Sequence, residues 1–145
     1  MPVSAGGFPP DRTDLAPLHR LPHVATVPFF FVSTGIGIAE DLLDMMIDRI
    51  KNHNARGQPL VQLQSMQLHI AESAAEIDTA RLLMMRDLTE AMAAMNNGRM
   101  LSIEERARNR RDQAYVGQLV RRAVDRLFAI TGSQGIFDSE GAQRK

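Results

Sequence analysis

Between Leu60 and Asn96 the chain carries one unbroken apolar stripe at helical spacing: Leu63, Met66, Ile70, Ala74, Ile77, Met84, Leu88, Ala91 and Met95. At 3.6 residues per turn this predicts about ten turns of helix. An ordinary helix has about three turns, so this one must be buried along its length by other long helices. Ala71, Ala75, Ala80 and Leu82 broaden the stripe, so that it touches more than one neighbour.

Two such neighbours are legible. One helix is expected from Pro28, which suits a first helical position, to about His53. Gly35 and Gly37 inside it cost stability relative to alanine, which is tolerable where another helix or a ligand crosses close. Residues 54–59, with Gly57, form a connection. The other neighbour is expected over about Ile103 to Ile130, with a stripe of Ala107, Ala114, Leu119 or Val120, Ala123 or Val124, Leu127 and Ile130. Ser102 and Glu105 stand at capping-box spacing before it. Asn97-Gly98 suits the end of the preceding helix and Gly132 the end of this one, because glycine tolerates a left-handed backbone. Residues 1–23, with five prolines and Gly6-Gly7, read as an irregular segment, and residues 24–145 as one helical domain.

The fold class that follows is all-α: an up-down bundle of three long helices. Three helices leave broad apolar faces uncovered, so a fourth, from this chain or a partner, is expected to complete the packing. Homo-oligomerisation, as a dimer or tetramer, is the physical expectation, and nine methionines fit adaptable packing.

Several functions are excluded or set aside by residue content. No cysteine is present, so disulfides and thiolate metal sites are impossible, in keeping with a cytoplasmic location. No signal peptide is evident. The most apolar run, Val24 to Ala39, is shorter than the ~20 residues of a membrane span, so no membrane partner is expected. Arginines at 106, 108, 110, 111, 121, 122 and 126 crowd the third helix, interleaved with Glu104, Glu105, Asp112 and Asp125. They are expected to pair at i,i+3 or i,i+4, or across helices. Nucleic acid is not expected, since the formal net charge is zero and stacking aromatics are limited to one Tyr and no Trp. His69, Glu72 and Glu76 share one side of the second helix. Lacking a second such motif, they read as an interface pairing and not a metal site. His19, His23 and His53 have no evident catalytic partners. The remaining candidate is the turn Thr131, Gly132, Ser133, Gln134 and Gly135, whose amides, hydroxyls and close-approach glycines suit a phosphate or a flavin edge.

Four stretches together resemble one family. HRLPHVATVPFFFVSTGIGIAEDLLD is similar to its entry into a C-terminal helical domain, including the small residues Gly35, Gly37 and Ala39. GQPLVQLQSMQLHIAESAAEIDTARLLMMRDL resembles its long second helix, LSIEERARNRRDQAYVGQLVRRAVDRLF its third, and TGSQGIFDS its glycine-containing turn. The family is the flavin-dependent monooxygenases with the acyl-CoA dehydrogenase fold, oxygenase components of two-component aromatic hydroxylases. The resemblance implies a tetramerising four-helix domain of which three helices are read here. It also implies FMN or FAD, reduced by a separate flavin reductase, and a small aromatic substrate oxygenated through a flavin hydroperoxide. It places Thr131 to Gly135 against the flavin or its phosphate, with Ser133 where the family has a second glycine. Family members add an N-terminal helical domain and a β-domain, and continue through a Gln-Arg stretch, matched by Gln143-Arg144, into a W-R-D-x-H segment. The expectation is therefore the C-terminal domain of such an oxidoreductase, inactive in isolation. The alternative expectation is a truncated, non-catalytic helical oligomerisation fragment.

Overall fold

The computed structural model describes residues 15–55 and 57–131. Three long helices dominate: α2 (His23–Asn52), α3 (Gln64–Asn96) and α4 (Ile103–Ala129), preceded by a single turn, α1 (Pro17–Arg20). A two-residue ribbon, β1 (Asn54–Ala55) against β2 (Gln58–Pro59), and a 3-10 turn, Leu60–Gln62, join α2 to α3. Gly57, at φ +81°, makes the reversal between the two strands. No described helix is long and apolar enough to cross a membrane.

The core runs the length of the bundle and shows its direction. At one end Leu21 and Ala25 pack with Ala91, Ala94, Met95 and Leu101. In the middle lie Phe29, Ile36 and Ala39 of α2, Ile77 and Ala80 of α3, and Val116, Leu119, Val120 and Ala123 of α4. At the other end Leu42 and Met46 meet Ile70 and Leu127. The start of α2 therefore meets the end of α3, and the end of α2 meets the start of α3. The helices run up, down and up, as expected for short connections. Arg20 of α1 donates from Nη2 to the Met95 carbonyl at 3.1 Å, a cation on the C-terminal end of α3.

The α3–α4 corner holds the signals that the sequence carries. Gly98 has φ +69°; its amide donates to the Met95 carbonyl and the Arg99 amide to the Ala94 carbonyl, both at 3.1 Å, which is a Schellman close. Ser102 Oγ then accepts from the Glu105 amide at 3.1 Å, and Glu105 Oε2 accepts from the Ser102 amide at 2.8 Å, completing the capping box. Gly132, expected at the close of α4, lies outside the described residues.

The start of the first long helix departs from expectation. It begins at His23, after Pro22 in an extended conformation, and Pro28 is its sixth residue. A proline inside a helix leaves the carbonyl four residues back without its amide donor. That carbonyl belongs to Val24, and Gln113 Nε2 of α4 donates to it at 2.9 Å. Asn109 Nδ2 reaches the adjacent Ala25 carbonyl at 3.4 Å, and Gln113 Nε2 also donates to Asn109 Oδ1 at 2.6 Å. The buried side of early α4 is thus Asn109, Asp112 and Gln113, while the expected Ala107 and Ala114 are exposed. Gln113 wins its position because it meets an unfilled backbone acceptor there, Asn109 is tied to Gln113, and Asp112 is held by Arg86 and Arg111. Of the two helical glycines, Gly35 is where helices cross closely: a Cβ on it would stand 3.3 Å from Val120 Cγ1, whereas one on Gly37 meets nothing within 4 Å. Leu82 points outward, 70% exposed, and does not broaden the buried stripe.

Removing the Gln113 amide strands a part-buried carbonyl, which costs up to about 1–3 kcal/mol. Urea unfolding of Gln113→Ala should show that loss. Its cost should shrink in a Pro28→Ala background, where residue 28 regains an amide for Val24. Equal costs in both backgrounds would show that Gln113 does not compensate for the proline.

Candidate functional site

The end of α4 carries the one candidate residue of the turn that the structure describes. Thr131 is 4% exposed. Its amide donates to the Phe128 carbonyl at 3.1 Å and its hydroxyl to the same oxygen at 2.7 Å. Both groups close the helix end, which α4 leaves with unsatisfied carbonyls. Gly132, Ser133, Gln134 and Gly135 lie outside the described residues.

The charged face of α4 is turned mainly toward α3. Arg126 binds Glu72 through Nε at 3.1 Å and Glu76 through Nη1 at 2.7 Å, and Arg122 Nε lies 3.1 Å from Glu76. Arg126 Nη1 also donates to the fully buried Ser73 hydroxyl at 3.3 Å. Arg108 pairs with Glu90, Arg86 with Asp112, and Arg81 with Glu40 of α2. Within α4 itself, Arg121 and Asp125 stand at i,i+4, 3.7 Å apart. Pairing is thus largely between helices, because the acids that α4 faces sit on α3. Arg122 also stacks over Tyr115, 5.9 Å from its ring centre.

Glu72 and Glu76 are held by guanidinium groups, as the pairing reading expects, and His69 is no part of that pairing. Among the described residues no group of three or more His, Asp or Glu side chains is placed to hold a metal ion. His53 Nδ1 stands 3.1 Å from the Arg49 carbonyl at the end of α2.

Two carboxylates are buried that the apolar stripes do not include. Asp87 of α3 is 3% exposed and Asp112 of α4 is 2% exposed. Arg86 joins them, donating to Asp87 Oδ1 at 3.1 Å from Nε and 2.9 Å from Nη2 and also to Asp112, which Arg111 Nε reaches at 2.7 Å. The signal was positional: Asp87 sits at i+3 from Met84 and i−4 from Ala91, squarely on the apolar stripe. Burial pushes the Asp87 carboxyl above its ordinary range, the Arg86 hydrogen bonds oppose this, and the Asp112 charge adds to the rise. At the helix corner the opposite holds. Arg99 grips Glu105 with two bonds of 2.7 and 2.8 Å, and these, with the Ser102 amide, bring the Glu105 carboxyl down to about 2.

The outer face of α2 is apolar where the inner face is already spent on the core. Val27, Phe30, Phe31 and Ile38 are 38%, 68%, 76% and 37% exposed, at helical spacing opposite Phe29, Ile36 and Ala39. Along late α3 an open groove of about 390 Å³ is lined by Leu88, Thr89, Met92, Ala93 and Asn96. A flavin needs both an apolar wall and donors for its phosphate. The groove lining carries no charge, and the α4 arginines that face α3 are taken by Glu72, Glu76 and Glu90. The described residues do not by themselves make a flavin cradle.

The family described as "Acyl-CoA dehydrogenase, C-terminal domain" matches residues 29–145. A resemblance of 31% identity over 137 residues links the chain to the oxygenase component of an FADH2-dependent resorcinol hydroxylase of Rhizobium sp. (strain MTP-10005), covering 88% of this chain and 34% of that protein. The flavin-dependent monooxygenase oxygenase subunit HsaA of Mycobacterium tuberculosis is 26% identical over 97% of this chain and 36% of its own length. In fold, the chain is similar to the crystal structure of 3-HSA hydroxylase from Rhodococcus sp. RHA1, with a TM-score of 0.82 and 23% identity over 92% of this chain and 35% of that one. The chain spans about a third of the length of the curated relatives it matches.

The two shifted carboxyls make stability respond to pH in opposite senses. Glu105 stabilises the fold above its ordinary value of 4.5, and that contribution is lost as pH falls toward about 2. Asp87, raised from 3.8, favours the fold in its protonated form and disfavours it as pH rises through its raised value. Thermal melts across acid to neutral pH should show Glu105→Gln less stable at neutral pH and losing less on acidification. Asp87→Asn should gain on the wild type as pH rises. A constant offset between Asp87→Asn and wild type at every pH would remove the Asp87 assignment.

Proposed function

The chain belongs to the acyl-CoA dehydrogenase C-terminal domain family, and we propose that it is the C-terminal helical domain of a flavin-dependent oxygenase that hydroxylates a small aromatic substrate. The observation that carries this reading is the 31% identity to a resorcinol hydroxylase oxygenase component over 88% of the chain. The same bundle in a 3-HSA hydroxylase structure supports the fold on which it rests.

In this reading the cofactor is FMN or FAD, delivered reduced by a separate flavin reductase. When bound, it supplies the electrons that activate O2. The chain's own contribution is a rigid wall and one contact. α4 is tied to α3 by Arg122, Arg126 and Arg108, and Thr131 closes its last turn on the Phe128 carbonyl. Gly132, Ser133, Gln134 and Gly135 are the residues assigned to the flavin edge or phosphate. Since the described residues leave the cradle incomplete, catalysis is a property of the larger assembly.

A second reading has its own observation. The exposed Phe30 and Phe31 on α2, with Val27 and Ile38, form an apolar face of the kind that associates. On this reading the chain is a helical oligomerisation unit without catalysis. Both readings expect a dimer or tetramer with α2 at the interface.

Anaerobic titration of the 145-residue chain with reduced FMN and reduced FAD tests the assignment of the turn. Saturable binding that weakens by about tenfold, or about 1.4 kcal/mol, in Gly132→Val supports the flavin reading. Equal affinity in the variant removes the turn from the site.

Light scattering tests the α2 face independently. The wild type should scatter as a dimer or tetramer, and Phe30→Ser with Phe31→Glu should scatter as a monomer with a similar melting temperature. Unchanged association in that double variant would place the interface elsewhere.

A further inference from the structure

We propose that α3 and α4 together build a site for one water molecule, held between the Asp87 carboxylate and the Arg108 guanidinium. The site begins with two orphaned atoms. Asp87 Oδ1 is occupied by the two Arg86 bonds, but Asp87 Oδ2 is buried and has no hydrogen-bond partner among the described residues. Arg108 gives Nη2 to Glu90, yet its Nε is equally buried and equally unpartnered. One orphan is an acceptor and the other a donor, and buried groups of either kind are rarely left unmade.

Both residues line the same recess, together with Glu90, Ala91, Leu101, Glu105 and Asn109. Its volume is about 10 Å³, roughly the ~10–15 Å³ that one water requires. Size and charge then select the occupant. An organic ligand does not fit. A metal cation would face the Arg108 guanidinium at close range, and an anion would face Asp87, Glu90 and Glu105. A neutral molecule that both donates and accepts satisfies both orphans: it donates one hydrogen to Asp87 Oδ2 and accepts from Arg108 Nε–H. Asn109 and Glu90 on the same wall offer acceptor oxygens for the second hydrogen, giving the two to four polar partners that a buried water takes.

The rise of the Asp87 carboxyl on burial suits this occupant as well. Water donates to the ionised carboxylate and accepts from the protonated acid, so it serves Asp87 in both states. A fixed protein donor would serve only one. The site is distinct from the α4 terminus and from the α2 face, and it stands whether or not the chain binds flavin.

A high-resolution crystal structure of the wild-type chain is the direct test. One ordered peak within hydrogen-bond distance of Asp87 Oδ2 and Arg108 Nε is expected. In solution, a water cross-peak to the Arg108 Nε–H should be present and should vanish in Asp87→Leu. Should that variant not fold, Arg108→Met removes the donor instead, and the crystallographic peak should be lost there. An empty recess, a direct Asp87–Arg108 hydrogen bond, or a peak that responds to exchange of sodium for a heavier alkali ion would each overturn the proposal.

Discussion

A backbone carbonyl that Pro28 leaves without a donor fixes how α2 lies on α4. Gln113 can reach the Val24 oxygen at 2.9 Å only if α4 is in one rotation and one register against α2. An apolar contact tolerates sliding by a methyl group; a buried hydrogen bond does not, because losing it leaves both partners unsatisfied. Asn109 extends the same constraint by one turn, tied to Gln113 and to the Ala25 carbonyl. With that end fixed, Val120 settles against Gly35, and the small Ala39, Ala80 and Ala123 let the three helices converge at mid-bundle. The proline that looked like a helix start is instead the source of the bundle's register.

The α3–α4 interface uses charge for a related purpose. Exposed ion pairs contribute little to stability, typically about 0–1 kcal/mol. The pairs of Arg121 with Asp125 and Arg81 with Glu40 are of that kind, with side chains more than a third exposed. Glu76 and Asp112 differ. Glu76, 17% exposed at its side chain, is shared by Arg122 and Arg126, and Asp112, 2% exposed, by Arg86 and Arg111. A shared acid that is itself buried loses much when one helix shifts along the other, so such pairs discriminate between registers more than they add to stability. Asp87 shows the cost of the arrangement: its burial disfavours its own charge even beside Arg86.

Much of the fold was legible because its signals are local. The Schellman close at Gly98 and the Ser102–Glu105 box need only neighbouring residues, and both stand where the sequence puts them. The length of α3 followed from periodicity, with its first turn shortened by the 3-10 segment Leu60–Gln62. What periodicity missed was polar and long-range. A scan for apolar stripes selects Ala107 and Ala114 over Asn109 and Gln113, because the reason for burying an amide lies 84 or 89 residues away in α2. It likewise passes over Asp87, whose partner Arg86 also binds Asp112 on another helix. The arginines of α4 suit pairing along their own helix or across helices, and the cross-helix choice prevails because the acids that face them belong to α3. The candidate turn was legible as composition, and of it Thr131 alone is described, engaged with its own helix end.

These constraints divide the molecule by function. α3 and α4 are joined by charge: Glu72, Glu76 and Glu90 of α3 pair with arginines of α4, and the connection between the helices is closed by Arg99 and Glu105. α2 is different, since its inner face is consumed by Gln113 and the core while its outer face leaves Phe30 and Phe31 in water. Two large aromatics side by side on a helix surface are costly to leave solvated, and their burial is worth more than any exposed ion pair in the bundle.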